Sequence, residues 1–80
     1  MSEQLDEWRV LFGSRIRQAR KMKGISQTKL GEILGISYQQ VSKYEKGRDK
    51  VSAQTIAYIA NALSLPVNYF YKNLTSEKII

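Results

Sequence analysis

Leu5, Trp8, Phe12, Ile16, Ala19 and Lys23 recur at spacings of three and four, the period of an α-helix that buries one face. Gly24 stands where a left-handed C-cap belongs, so the spacing predicts a first helix from about Asp6 to Met22. Gly13 falls inside it at a cost of about 1 kcal/mol relative to Ala, which calls for a packing reason. Ser26 is an N-cap residue followed by Leu30, Ile33 and Leu34 at helical spacing and then by Gly35, a helix of two turns. Ser37 opens a third helix with Gln40 three positions on, a Ser-x-x-Gln capping box, and Ile36 and Val41 are spaced as a hydrophobic staple. That helix stops at Gly47. It turns Val41 and Tyr44 inward and leaves Tyr38, Gln39, Ser42, Lys43 and Lys46 outward.

Ser52 caps a fourth helix with Ile56, Ile59, Ala60 and Leu63 on one face, and Val51 and Ile56 repeat the staple spacing. Pro66 suits the first turn of a short fifth helix whose apolar mass comes from Val67, Tyr69, Phe70 and Tyr71. Residues 72–80 hold no sustained pattern and read as a frayed tail. No segment alternates as a strand does. The expected fold is therefore all-α, a five-helix bundle forming a single domain over 1–80 with its core in 12–71.

Composition narrows the chemistry. The chain of 80 residues has neither Cys nor His, which removes disulfides, thiolate and imidazole metal sites and His-dependent catalysis, and no cofactor is expected. The longest apolar run is Ile56 to Ala60, and the start of the chain lacks a basic region followed by an apolar one. Neither a membrane span nor an export signal is visible, and a cytoplasmic location is expected. Thirteen Lys and Arg face seven Asp and Glu, and the excess is localised: residues 15–50 carry ten cations and three acids, whereas Val51 to Tyr71 carry no charge. A basic stripe of that density points to a polyanionic partner, nucleic acid or an anionic membrane surface, unless it is a solvated face.

Two short helices separated by Gly35-Ile36-Ser37 within a basic surface meet the description of a helix-turn-helix. Gly31 in the first permits close approach of the second. The outward row Tyr38, Gln39, Ser42 and Lys43 offers amide, hydroxyl and ammonium groups to base edges in a major groove.

The stretch from Phe12 to Phe70 resembles the phage repressor and Cro type of helix-turn-helix domain, a lambda-repressor-like family of bacterial and phage transcriptional regulators. The match is carried by Arg17-x-x-Arg20 with Gly24, by Ser26-Gln27-x-x-Leu30-Gly31-x-x-Leu34-Gly35-Ile36-Ser37, by Val41-Ser42-x-x-Glu45-x-Gly47, and by Leu63-x-x-Pro66-x-x-x-Phe70. The resemblance implies that Tyr38, Gln39, Ser42 and Lys43 read bases. It implies phosphate contacts from Gln27, Lys46 and Arg48, with Gln27 also holding the side chain at Tyr38, and an ion pair between Arg20 and Glu45; Ser37, Arg20 and Lys29 are expected as further phosphate contacts on the same basic surface. The sequence departs from the family where Gly31 replaces a common Ala, Lys29 a common Glu and Ser64 the usual Gly after the fourth helix. Tyr38 is larger than the Gln or Ser common at its position, so no known operator sequence transfers to this chain.

Fourteen of the twenty-one residues from Val51 to Tyr71 are apolar or aromatic, more than two short helices hide on one face each. Tyr58, Ala62, Leu65 and Tyr71 lie off the main stripe and are expected to form a homodimer patch. The alternative is cover from within the chain, by Leu5 and Trp8 or by Ile79 and Ile80. The leading expectation is a repressor that binds a palindromic double-stranded operator as a homodimer. The alternative function is an antitoxin that uses the neutral face to bind a toxin. Nothing in the sequence resembles an enzyme's nucleophile, metal shell or phosphate-cradling loop.

Overall fold

The computed structural model describes the backbone of residues 2–72 and the side chains of residues 7–72. The Leu5 side chain and residues 73–80, with the expected frayed tail and the covering role given to Ile79 and Ile80, lie outside the described residues.

Five helices and no strand are present among the described residues: α1 (Ser2–Met22), α2 (Gln27–Leu34), α3 (Tyr38–Glu45), α4 (Ala53–Ala62) and α5 (Asn68–Tyr71). Three of the starts follow local chemistry. The hydroxyls of Ser26, Ser37 and Ser52 accept from the amides of Lys29, Gln40 and Thr55 at 3.0 to 3.1 Å, each satisfying one otherwise unpaired first-turn donor. The α1–α2 and α2–α3 turns reverse through Gly24 and Gly35 at φ 70° and 75°, and in each the next residue's amide reaches back five positions, Ile25 to Arg20 and Ile36 to Gly31.

Two boundaries differ from expectation. α1 begins at Ser2, not near Asp6. Pro66 stands ahead of α5, which starts at Asn68, and the carbonyl of Pro66 accepts from the Tyr69 amide at 3.0 Å. α4 ends through the same left-handed reversal as α1 and α2, but Ser64 makes it at φ 56°, and the Leu65 amide bonds the Ala60 carbonyl at 2.9 Å. A side chain in that conformation costs roughly 1–2 kcal/mol that glycine avoids. Ser64→Gly is therefore expected to stabilise the fold by about 0.5–1 kcal/mol, after the greater freedom of glycine in the unfolded chain is counted. Thermal unfolding checks this: a midpoint several degrees higher is expected, and an unchanged or lower one means that the turn carries no strain.

The core joins every helix. Phe12, Ile16 and Ala19 of α1 meet Leu30, Val41, Ile56, Ile59, Ala60, Leu63 and Phe70, all buried. Phe70 is fully enclosed, with its ring 6.1 Å from Phe12 and 5.2 Å from Tyr69, so the short α5 closes the core against α1. Lys23, the last member of the α1 row, is exposed beyond the end of the helix. α1 packs on α3 through Gly13, where a Cβ would overlap the carbonyl oxygen of Tyr44 and fall 2.7 Å from that of Glu45. That close approach is the packing reason for a glycine in mid-helix.

Candidate nucleic-acid interface

The C-terminal turn of α3 is fixed by a buried ionic network. Arg20 Nε and Nη2 donate to Glu45 Oε2 and Oε1 at 2.6 and 3.1 Å, its Nη1 donates to the Ile25 carbonyl at 2.8 Å, and Gln27 Nε2 donates to Glu45 Oε1 at 3.0 Å. The two charged side chains are only 9% and 3% exposed. One fork thus ties α1, the α1–α2 turn, the start of α2 and the end of α3, with the geometry that planar guanidinium and carboxylate favour.

This network corrects one expectation and adds a partner to another. Arg20 is not an outward phosphate contact, because it is buried and committed to Glu45 and Ile25. Gln27 commits one proton of its amide nitrogen to the buried Glu45 carboxylate, which leaves the second to donate.

Above the network opens a polar cleft of about 580 Å³, lined by Arg17, Lys21, Thr28, Tyr38, Ser42 and Lys46, with Arg20, Ser26, Gln27 and Glu45 also contributing. The first turn of α2 faces it, and such a turn presents backbone N–H groups and the positive end of a helix dipole. The sequence pattern does not single out Arg17, Lys21 and Thr28 as site residues. Arg17 and Lys21 are four apart on α1 and so share a face, but their spacing does not reveal that this face meets the start of α2.

On α3, Tyr38, Gln39, Lys43 and Lys46 are exposed and Ser42 is half-buried, while Val41 and Glu45 are buried on the opposite side. The structure thus brings the expected reading row together on one surface. Ser37 is exposed, and its hydroxyl is occupied as an acceptor by the Gln40 amide, which leaves its proton to donate. Lys29 is exposed, 4.0 Å from Glu32. Arg48 is exposed in the turn after α3, where Gly47 takes φ 72° and the Arg48 amide bonds the Lys43 carbonyl at 2.9 Å.

Ser37 caps α3, but the capping box is not closed. The side chain of Gln40 does not return to the Ser37 amide. Its Nε2 donates to Asp49 Oδ2 at 2.8 Å, and Asp49 Oδ1 accepts the Lys50 amide at 3.0 Å. The Gln40 hydrogen bond is the main reason the Asp49 carboxyl sits below its ordinary pKa; the Lys50 amide and the charges of Lys43 and Arg9 add to this, and desolvation opposes it.

The expected dimer patch is divided. Tyr71 packs inside the chain, its ring 5.4 Å from that of Phe12, and lines a groove with Trp8, Val51 and Ile56. Leu65 is half-buried against the core. Ala62 is half-buried against the core as well, and with Tyr58, 56% exposed, it lines a shallow depression shared with Ile33, Leu34 and Asn61, between α2 and α4. Helical geometry at α4 accounts for the split: Tyr58 and Ala62 are one turn apart on the side facing α2, whereas Tyr71 follows the chain back to α1. Among the described residues no cluster of acids suited to a metal ion occurs, and no helix is long and apolar enough to cross a membrane.

The helix-turn-helix family model matches residues 16–70. An HTH-type transcriptional regulator of Sinorhizobium medicae is 51% identical over 65 residues, covering 81% of this chain and 47% of the relative. The chain spans about half the length of the curated relatives it matches. Among solved structures, the clp gene regulator ClgR from C. glutamicum is similar with a TM-score of 0.76 and 30% identity over 79% of this chain and 82% of that one. The restriction-modification controller protein C.AhdI from Aeromonas hydrophila is similar with a TM-score of 0.73 and 34% identity over 76% and 88%.

Proposed function

The chain belongs to the helix-turn-helix family of Cro and repressor type, whose members are DNA-binding transcriptional regulators and not enzymes, and from that premise we propose that it reads a palindromic operator as a homodimer and represses transcription there. The observation that carries the reading is the outward row of α3 lying beside a cation-lined cleft at the first turn of α2. In this reading α3 enters the major groove. Gln39 pairs its amide with an adenine edge, Lys43 approaches guanine acceptors, and Tyr38 and Ser42 supply hydroxyls. Phosphates are held by Ser37, Lys29, Lys46 and Arg48, and by the α2 first turn with Gln27, Arg17 and Lys21 around it. The second protomer docks through Tyr58 and Ala62, joined by Ile33, with Leu65 at the edge. The α3 helices of the two protomers then lie about 34 Å apart, one turn of DNA.

Selection of bound duplexes from random DNA tests the proposal. A consensus with two half-sites about ten base pairs apart, centre to centre, is expected, and a single asymmetric half-site overturns the dimeric reading. On the selected duplex, Gln39→Ala is expected to cost about 1–3 kcal/mol per half-site and little on random DNA. Lys46→Ala is expected to weaken both duplexes alike and to reduce the slope of log K against log salt by roughly 0.9 for each phosphate that is no longer neutralised. Equal weakening of both duplexes by Gln39→Ala removes α3 as the reading helix.

A further inference from the structure

Of the three acids within the basic stretch 15–50, Glu45 is buried against Arg20 and Glu32 lies on α2 near Lys29. The third, Asp49, is exposed between Arg48 and Lys50 in the loop that follows α3. A carboxylate there works against any polyanion that the surrounding cations attract. Its hydrogen bonds join two elements: one oxygen takes the amide of Gln40, from the first turn of α3, and the other takes the backbone of Lys50. The Gln40 side chain makes this bond through its amide nitrogen, and its oxygen does not take the Ser37 amide that a capping box would give it. The near end of the loop is also held, because a Cβ at Gly47 would lie 2.8 Å from the Val10 backbone, so the turn rests directly on α1.

We propose that Asp49 is a positioning residue for DNA recognition: its clasp on Gln40 holds the Gly47 to Lys50 loop, with the cations Arg48 and Lys50, at a set distance from the reading row of α3. The clasp aligns the phosphate grip with the base contacts, and so acts on the preferred duplex and not on DNA in general. This rests on the reading of α3 as the recognition helix.

The sign of one substitution separates positioning from plain charge. Asp49→Ala removes a negative charge from a DNA-facing surface, so charge alone raises affinity for every duplex. Positioning requires the ratio of affinities for the selected and random duplexes to fall, by about fivefold to tenfold for one hydrogen-bonded tether. Gln40→Glu supplies the control for folding. It places a carboxylate against Asp49 and breaks the clasp, yet Glu is a good residue at this position of α3 and can close the capping box with Ser37. The 80-residue chain carrying Gln40→Glu is therefore expected to keep its thermal midpoint, to lose the same selectivity as Asp49→Ala, and to show faster hydrogen exchange at the Lys50 amide. An unchanged ratio in both variants, or equal gains on both duplexes, overturns the proposal. A wild-type chain that selects no preferred duplex instead removes the reading of α3, while unchanged exchange at Lys50 in Gln40→Glu counts against the clasp independently of DNA.

Discussion

Glu45→Ala is expected to remove about 3–5 kcal/mol of folding free energy, the cost of stranding one member of a buried ion pair. The carboxylate accepts two hydrogen bonds from Arg20 and one from Gln27 and is 3% exposed. Without it the guanidinium stays in a site that water barely reaches, held by the Ile25 carbonyl alone, and the Gln27 amide loses its acceptor. Against the 5–15 kcal/mol that holds a typical domain, such a loss leaves a protein near its threshold. Arg20→Ala is expected to be nearly as damaging, since it strands the acid. The double variant is expected to lose clearly less than the sum, because no uncompensated charge remains. Urea unfolding of the four proteins measures this, and strictly additive losses mean that the two side chains do not meet in solution.

Gly13→Ala is expected to destabilise the fold by about 2 kcal/mol, although helix propensity alone argues for a gain of about 1 kcal/mol. The sign is decided by the backbone of α3: the new methyl would overlap the Tyr44 carbonyl and press on that of Glu45, and neither can rotate aside as a side chain would. Relief requires α1 to move off α3, which also stretches the Arg20 to Glu45 fork. Gly13→Val should be worse. A Gly13→Ala protein as stable as the parent means that α1 does not approach α3 so closely. Gly31 makes a similar approach within the helix-turn-helix, where a Cβ would lie 2.6 Å from the Ile36 carbonyl, so the smallness expected there has a physical cause.

The buried set of α1, Phe12, Ile16 and Ala19, and that of α4, Ile56, Ile59, Ala60 and Leu63, follow directly from period and cap. So does the outward row of α3, because the same residues that point Val41 inward leave Gln39 and Lys43 on the opposite side. The partners of Gln27, Gln40 and Tyr71 do not follow. Each has a plausible local or external role in sequence and a different one in the fold: Gln27 reaches Glu45 across 18 residues, Gln40 reaches Asp49 across 9, and Tyr71 meets Phe12. Arg20 combines both cases. Its pairing with Glu45 is legible by resemblance, yet its expected role at phosphate is ruled out by burial.

Helix identity, the three serine caps and the turn glycines were determined by the sequence alone, because those features are settled by chemistry within three to five residues of chain. The reason for Gly13, the cleft between Arg17, Lys21 and α2, and the division of the apolar patch were decided only by tertiary structure. They depend on how far apart and at what rotation two helices dock, a quantity set by the summed packing of the whole core and encoded in no single segment.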